Sequence, residues 1–148
     1  MPTREEIEAK VHEFNNRAMT QHDMAYIDGA LADDVVEHST PPGFGNDKKA
    51  ALQIFEMIFA ATPDLKGEVL DTVVSGNKVA IRGRYSGTDN GTGQMPGVPA
   101  TGKPFSIEGI DVVTFGDDLR VTEHYGLLDM GGMMAQLGLM PPPPEPEA

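Results

Sequence analysis

The chain has 148 residues, no cysteine and a formal net charge of -12. Its length is typical of a single domain with one hydrophobic core. The negative charge argues against nucleic acids and anionic membranes as partners, because Lys and Arg are the residues that hold them. The lack of cysteine excludes disulfides, thiolate nucleophiles and Cys-ligated zinc, and it favours a cytoplasmic location.

The N-terminal residues lack the basic start and the apolar run of a signal peptide. No stretch approaches the roughly 20 consecutive apolar residues that a membrane span needs. We therefore expect neither export by such a signal nor membrane insertion.

Three helices are predicted in the N-terminal half. Thr3 and Glu6 have the spacing of a capping box, and apolar residues then recur every three to four positions. Asp23, and one of Asn46 and Asp47, are suited to cap two further helices. The predicted helices cover about residues 3–20, 24–31 and 47–59, with an extended segment at 35–38 and a proline-rich loop at 40–45.

The C-terminal half has the pattern of a β-sheet. Four runs rich in β-branched and aromatic residues, separated by turn residues, predict an antiparallel meander. The segment 87–103 contains five glycines and two prolines, which is typical of a long loop at a rim or lid. The predicted strands are 69–74, 79–85, 105–115 and 121–128.

A short Met-rich helix is predicted from Met130 to Leu137, followed by a polyproline segment. We expect a single domain over residues 1–138 and a disordered, proline-rich tail over 139–148. No internal repeat or second core is indicated.

Helices followed by a curved antiparallel sheet pack best when the helices cover the concave face of the sheet. This predicts an α+β cone, in effect a barrel that is open at one end and encloses a pocket for a small, largely apolar molecule.

Asp111 is the most informative polar residue because it lies among apolar neighbours in a strand. Strand alternation places it on the same face as Ile107, Val113 and Phe115, which we interpret as pocket wall. A carboxyl group there can act as a general base or, when neutral, as a hydrogen-bond donor to an oxyanion. The alternative is a structural carboxylate that is satisfied by backbone N–H groups or by a nearby arginine.

Two histidines are further candidates for proton transfer, because imidazole titrates near neutral pH. His38 is expected at the mouth of the cavity, and His124 is expected on the pocket face together with Gly126 and Leu128. Each could instead be an ordinary, hydrogen-bonded histidine. His12 and His22 are interpreted as surface residues.

A metal site is not expected, since His38, His124, Asp89 and Asp111 lack the close spacing of a metal-binding pair. Arg82 and Arg84 alternate on one face of a strand, which favours a solvated or dimer-facing pair.

Several segments together resemble the SnoaL-like polyketide cyclases, within the larger group that includes nuclear transport factor two and the steroid Δ5-isomerases. The segments that carry the resemblance are ADDVVEH at 32–38, GVPATGK at 97–103, IDVVTF at 110–115, TEHYGLLD at 122–129 and MMAQLG at 133–138.

The resemblance implies an α+β cone, a pocket without a cofactor, and a homodimer or higher oligomer packed through the sheet. It also implies that an acidic residue moves protons during the intramolecular aldol closure of a polyketide ester, or in a related isomerisation. The isomerases carry an acid at the place of Asp111, and their general base matches the place of His38. Their phenol donor on the first helix is missing, because Phe14 and Asn15 stand there.

We therefore expect Asp111, His38 and His124 to act on a hydrophobic carbonyl compound. The substrate-binding residues are expected to be Phe14, Asn15, Phe55, Phe59, Tyr85, Gly126 and Leu128. One alternative is a non-catalytic binding module of the same fold. Another is an epoxide hydrolase of the limonene type, but that chemistry needs an Asp-Arg-Asp set, and Gly126 stands where one of the aspartates is expected.

Overall fold

The computed structural model describes residues 1–141 and 144–147. A π-helical segment, Asn15–Thr20, directly continues the first helix. The other elements of the described residues are α1 (Arg4–Phe14), α2 (Met24–Ala30), β1 (Leu31–Glu37), α3 (Lys48–Ala61), β2 (Lys66–Ser75), β3 (Lys78–Thr88), β4 (Pro104–Phe115), β5 (Val121–Leu128) and α4 (Met130–Gln136).

The helices begin where the sequence predicts. The Thr3 hydroxyl accepts a hydrogen bond from the backbone N–H of Glu6 at 3.1 Å, and the Glu6 carboxylate accepts one from the N–H of Thr3 at 2.8 Å. This capping box is confirmed, and helix and π-helical segment together end at Thr20. The side chains of Asp23 and Asp47 cap α2 and α3. Each cap satisfies an N–H group that has no partner within its helix.

The sheet has five strands in the order β1-β5-β4-β3-β2. The predicted meander is confirmed, because β2 to β5 pair in succession and antiparallel. The fifth strand, β1, overlaps the extended segment expected at 35–38, but its pairing was not predicted: it lies parallel to β5. Leu31, expected at the end of a helix, is the first residue of this strand.

The helices cover one face of the sheet, as expected for an α+β cone. Ile7, Val11 and Ile27 from the helices are buried with sheet residues Val79 and Val113 in one core cluster. A second cluster lies where α4 closes the sheet, and it contains Leu65, Phe105, Ile107, Met133, Met134 and Leu137. Full burial of each large apolar side chain stabilises the fold by about 1.5–3 kcal/mol. The two core clusters on this concave face therefore hold the helices against the sheet.

The long connection from β3 to β4 is organised by Asp89, which is fully buried. Its carboxylate accepts hydrogen bonds from the backbone N–H and the hydroxyl of Thr101 at 2.8 and 2.9 Å, and from the Gln94 amide at 3.2 Å. The N–H of Gly91 donates to the carbonyl of Ala61 at the end of α3. These hydrogen bonds hold Asp89 against the far end of the loop, at Thr101, and hold Gly91 against the end of α3.

Two residues beyond 138, the predicted end of the domain, contact α4. Leu139 and Met140 donate backbone N–H groups to the carbonyl of Met134, and Leu139 packs against the second core cluster. Of the tail that was expected to be disordered, residues 142, 143 and 148 lie outside the described residues. Among the described helices, none has the length and apolar character needed to cross a membrane.

Candidate active site

Asp111 lies on the concave face of the sheet, as strand alternation predicts. In the register of β4 it is opposite Ile81 on one side and Gly126 on the other. Its side chain is 20% exposed, so it is shielded by the fold without being sealed from solvent. This position leaves the carboxylate reachable by a small molecule.

His124 lies between two carboxylates. Its Nε2 is 2.7 Å from Asp111 Oδ1, and its Nδ1 is 2.5 Å from Glu37 Oε2. Because a carboxylate only accepts hydrogen bonds, both ring nitrogens act as donors when both acids are ionised. The arrangement therefore favours an imidazolium ion between two anions.

The pKa of His124 reflects this competition. Burial alone lowers it, but the hydrogen bonds to Asp111 and Glu37 and the charges of both carboxylates outweigh burial and raise the pKa to about 9. His124 is consequently positively charged at neutral pH. Glu37, His124 and Asp111 together carry a net charge of about -1 when both acids are ionised.

Tyr85 completes the group. Its hydroxyl donates a hydrogen bond to Asp111 Oδ2 at 3.1 Å. Sequence reasoning placed Tyr85 in the pocket without this role. The four residues Glu37, His124, Asp111 and Tyr85 are called the Asp111 cluster below.

Gly126 provides the space for this cluster. A Cβ atom at position 126 would lie 2.6 Å from Asp111 Oδ1 and 3.0 to 3.1 Å from the ring of His124. The backbone N–H of Gly126 donates to the Ser39 hydroxyl at 2.6 Å. The predicted pocket residue Gly126 therefore lies beside Asp111, where a larger residue would displace the hydrogen bond to His124.

His38 is not part of the cluster, and its expected position at the cavity mouth is wrong. Glu37 is paired with His124 in the parallel register, so alternation along the strand turns His38 to the opposite face. There the His38 ring stacks on Tyr125, with ring centroids 3.9 Å apart, and lies 3.6 Å from the Glu123 carboxylate.

Glu37 is the functional candidate that sequence reasoning missed. Its side chain is 12% exposed, and its second oxygen, Oε1, accepts the backbone N–H of Ser39 at 2.8 Å. A signal for it exists in the sequence: Val35 is an apolar residue two positions earlier, and residues two apart in a strand share a face. Val35 is indeed buried, and Glu37 faces the same side.

Three aromatic residues expected to bind substrate pack beside one another on the helical side of the sheet. Phe14 lies edge-on to Phe55, and Phe55 lies beside Phe59, each pair with ring centroids 6.0 Å apart. All three pack, partly buried, against the first core cluster. The amide of Asn15 instead donates to the carbonyl of Gly67 on β2 at 3.0 Å, which separates it from Asp111 by the intervening strand β3. Asn15 thus fastens the π-helical segment to the sheet edge.

His22 differs from its predicted position at the surface. Its ring stacks on Phe59 with centroids 4.2 Å apart, and its Nε2 lies 2.9 Å from the carbonyl of Leu65. These contacts pin the turn after the π-helical segment, where His22 has a positive φ of 55°.

The two arginines of β3 lie on the outer face of the sheet. Arg82 pairs with Glu108 at 2.7 Å, and Arg84 pairs with Glu68 at 3.5 Å. Both side chains are about half exposed, which agrees with a solvated or dimer-facing pair, and neither satisfies Asp111. The Asp-Arg-Asp set of an epoxide hydrolase is therefore not assembled around Asp111 by the described residues.

Leu128, a predicted pocket residue, lies on the same side of the sheet as Tyr85. The Leu128 side chain is 43% exposed and lies over Gly109, next to the ring of Tyr85. Two surface depressions of about 370 and 270 Å³ occur elsewhere in the described chain, on the outer sides of α3 and α1. Neither depression contains a residue of the cluster.

Residues 1–141 and 144–147 contain no group of three His, Asp or Glu side chains arranged to hold a metal ion.

The comparisons with known proteins agree with this fold. The family model of the SnoaL-like polyketide cyclases matches residues 9–137. No curated protein matches the chain. Among solved structures, TsrD from Streptomyces laurentii is 24% identical with a TM-score of 0.81, over 95% of this chain and 100% of that one.

Two further solved structures carry names that refer to a reaction. AclR from Streptomyces galilaeus, a candidate hydroxylase, is 25% identical with a TM-score of 0.81, over 97% of this chain and 87% of that one. IdmH from Streptomyces antibioticus, a candidate polyketide cyclase, is 28% identical with a TM-score of 0.75, over 89% of this chain and 98% of that one.

Proposed function

Because the chain belongs to the SnoaL-like polyketide cyclase family, we propose that it catalyses proton transfer on a small hydrophobic carbonyl compound. Asp111 is the residue that takes and returns the proton. The observation that carries this proposal is the continuous hydrogen-bonded chain from Glu37 through His124 to Asp111 on the concave face. Linked titratable groups of this kind occur preferentially at active sites.

The charge of His124 assigns the roles within the cluster. With a pKa of about 9, His124 carries both ring protons at neutral pH and has no lone pair with which to accept another. Asp111 is therefore the base. Its two oxygens each accept one hydrogen bond, from His124 and from Tyr85, which fixes the carboxylate plane while leaving lone pairs free.

The reaction that fits these groups is an intramolecular aldol closure. Asp111 removes a proton from a carbon beside a carbonyl group, and the electrons of the C–H bond form an enolate. The enolate carbon attacks a second carbonyl group of the same molecule and forms a C–C bond. The resulting alkoxide then takes the proton back from Asp111. The imidazolium of His124 stabilises negative charge throughout, and no cofactor is needed for this sequence.

The test is turnover of aromatic polyketide esters and simple α-acidic ketones, followed by absorbance. We expect Asp111→Asn to lose at least about 100-fold in kcat while retaining its fold, because general acid–base catalysis contributes about that much or more. The matched control is Asp71→Asn, which removes an exposed aspartate from β2. Full activity of Asp111→Asn would refute the proposal.

A different result would favour the non-catalytic binding module. In that case the wild type would bind apolar ligands saturably, form no product, and show the same affinity after Asp111→Asn. Because this fold hosts many functions, the result would leave the fold assignment unchanged.

We also propose that two copies of the chain associate through the outer face of the sheet. Register places four exposed apolar side chains on this face, namely Val73, Ile110, Tyr125 and Leu127, the last being 81% exposed. Contiguous exposed apolar patches mark interaction surfaces in soluble proteins. Sedimentation of the wild type is expected to show a dimer, and a monomer at micromolar concentration would contradict this.

A further inference from the structure

On the concave face, the ring of Tyr85 lies over two glycines, Gly83 and Gly109, which are paired with each other on neighbouring strands. A Cβ atom at position 83 would lie 2.9 Å from the Tyr85 hydroxyl and 3.1 Å from the ring carbon that bears it. A Cβ atom at position 109 would lie 3.4 Å from the ring edge and 2.5 Å from a methyl group of Leu128. Gly83 and Gly109 therefore let the ring lie flat along the sheet and aim its hydroxyl at Asp111.

The phenol is held as a neutral donor. Burial, the negative charge of Asp111 and the hydrogen bond to it all raise the pKa of Tyr85 above its ordinary value. The ring also packs against the second core cluster, which fixes its position. A protonated phenol with a fixed ring is suited to stabilise an oxyanion, because little reorganisation is needed during the reaction.

We propose that Tyr85 is a second catalytic residue, and that its hydroxyl transfers its hydrogen bond from Asp111 to the enolate oxygen of the substrate. The proposal rests on the function assigned above to Asp111. Before proton transfer, the Asp111 carboxylate is the charged acceptor next to the hydroxyl, at 3.1 Å. After transfer, Asp111 is a neutral acid and the negative charge is on the enolate oxygen, which becomes the stronger acceptor.

The change of hydrogen-bond acceptor links proton abstraction by Asp111 to stabilisation of the enolate by Tyr85. The donor becomes available to the substrate only when Asp111 has accepted the proton, so the interaction is made in the transition state and in the enolate rather than in the ground state.

The first arm of the test measures binding of 4-nitrophenolate, an oxyanion whose absorbance reports its ionisation. Asp111→Asn supplies a neutral side chain in place of the protonated acid. We expect Asp111→Asn to bind the phenolate saturably, and added Tyr85→Phe to weaken the affinity about 10- to 100-fold, the effect of one hydrogen bond to a charged group. Added Tyr26→Phe is the matched control, since the Tyr26 hydroxyl also donates to a carboxylate, that of Glu13, at 2.8 Å.

Equal phenolate affinity with and without Tyr85, or no saturable binding by Asp111→Asn, would overturn the inference. This arm needs no turnover, so it shows whether the Tyr85 hydroxyl binds an oxyanion separately from whether Asp111 abstracts a proton.

The second arm measures kinetics of the single variant Tyr85→Phe. We expect kcat to fall about 100- to 1,000-fold with little change in KM, as for the loss of one oxyanion donor. A residue that only positions Asp111 would behave differently: its loss would lower kcat but leave phenolate affinity in the Asp111→Asn background unchanged. That combination would also overturn the inference.

Discussion

The carboxylates of Asp111 and Glu37 both raise the pKa of His124, and Glu37→Gln tests the share that Glu37 contributes. The rise in the pKa of His124 from 6.5 to about 9 corresponds to about 3 kcal/mol in favour of the charged ring in the folded state. Since a charged partner within a few Å shifts a pKa by about 1 to 3 units, the variant should lower the pKa of His124 by at least about one unit.

The sign of the effect on stability follows from the direction of the shift. A pKa that is higher in the folded state stabilises the fold fully below the unfolded value and loses this contribution as pH rises through the folded value. The free energy of unfolding of the wild type should therefore decrease by up to about 3 kcal/mol between about pH 6.5 and 9, and Glu37→Gln should show a smaller decrease.

Two assays measure this prediction. Proton NMR titration gives the pKa of His124, with its signal assigned by its absence from His124→Gln, and urea denaturation at several pH values gives the free energy of unfolding. Glu123→Gln is the matched control, because Glu123 pairs with His38 on the opposite face. A wild-type His124 that titrates near its ordinary value, or an unchanged pKa in Glu37→Gln, would refute the reasoning.

Three further predictions concern space, burial and association. Gly126→Ala should lower kcat about 100-fold, because its Cβ would lie 2.6 Å from Asp111 Oδ1 and displace the carboxylate; unchanged kinetics would show that the cluster tolerates the methyl group. Asp89→Asn should lower the free energy of unfolding by about 2 to 4 kcal/mol in urea denaturation, since a fully buried acceptor of three hydrogen bonds is altered. Asp117→Asn, on the surface, should change it by less than about 0.5 kcal/mol, and equal effects would contradict this account. Leu127→Asp should shift a sedimenting dimer to monomer, and an unchanged dimer would place the interface elsewhere.

Much of the fold can be predicted from the sequence because its signals are local. The meander from β2 to β5 follows from alternating apolar residues and from turn residues such as Gly76 and Asn77. The pairing of the parallel strand β1 has no comparable signal, since its partner β5 lies far along the chain and the pairing is set by the tertiary structure.

In the site, too, the residues fixed by local alternation could be predicted, and those fixed by tertiary pairing could not. Asp111 and His124 were predicted to share the concave face, because alternation within β4 and β5 fixes their direction. The direction of Glu37 and His38 depends on the register of β1, and a shift of one residue exchanges them. The prediction chose the histidine on chemical grounds, whereas the paired register turns the glutamate inward. The hydroxyl contact of Tyr85 depends on two glycines on different strands, which alternation alone does not reveal.

The most direct test of the account is exchange of α-protons for deuterium in heavy water, followed by NMR on a hydrophobic β-keto ester. This measurement reports proton abstraction alone and needs no ring closure. We expect wild type and Asp71→Asn to accelerate exchange equally, and Asp111→Asn to be at least about 100-fold slower. Exchange by Asp111→Asn at the wild-type rate would contradict the assignment of Asp111 as the base.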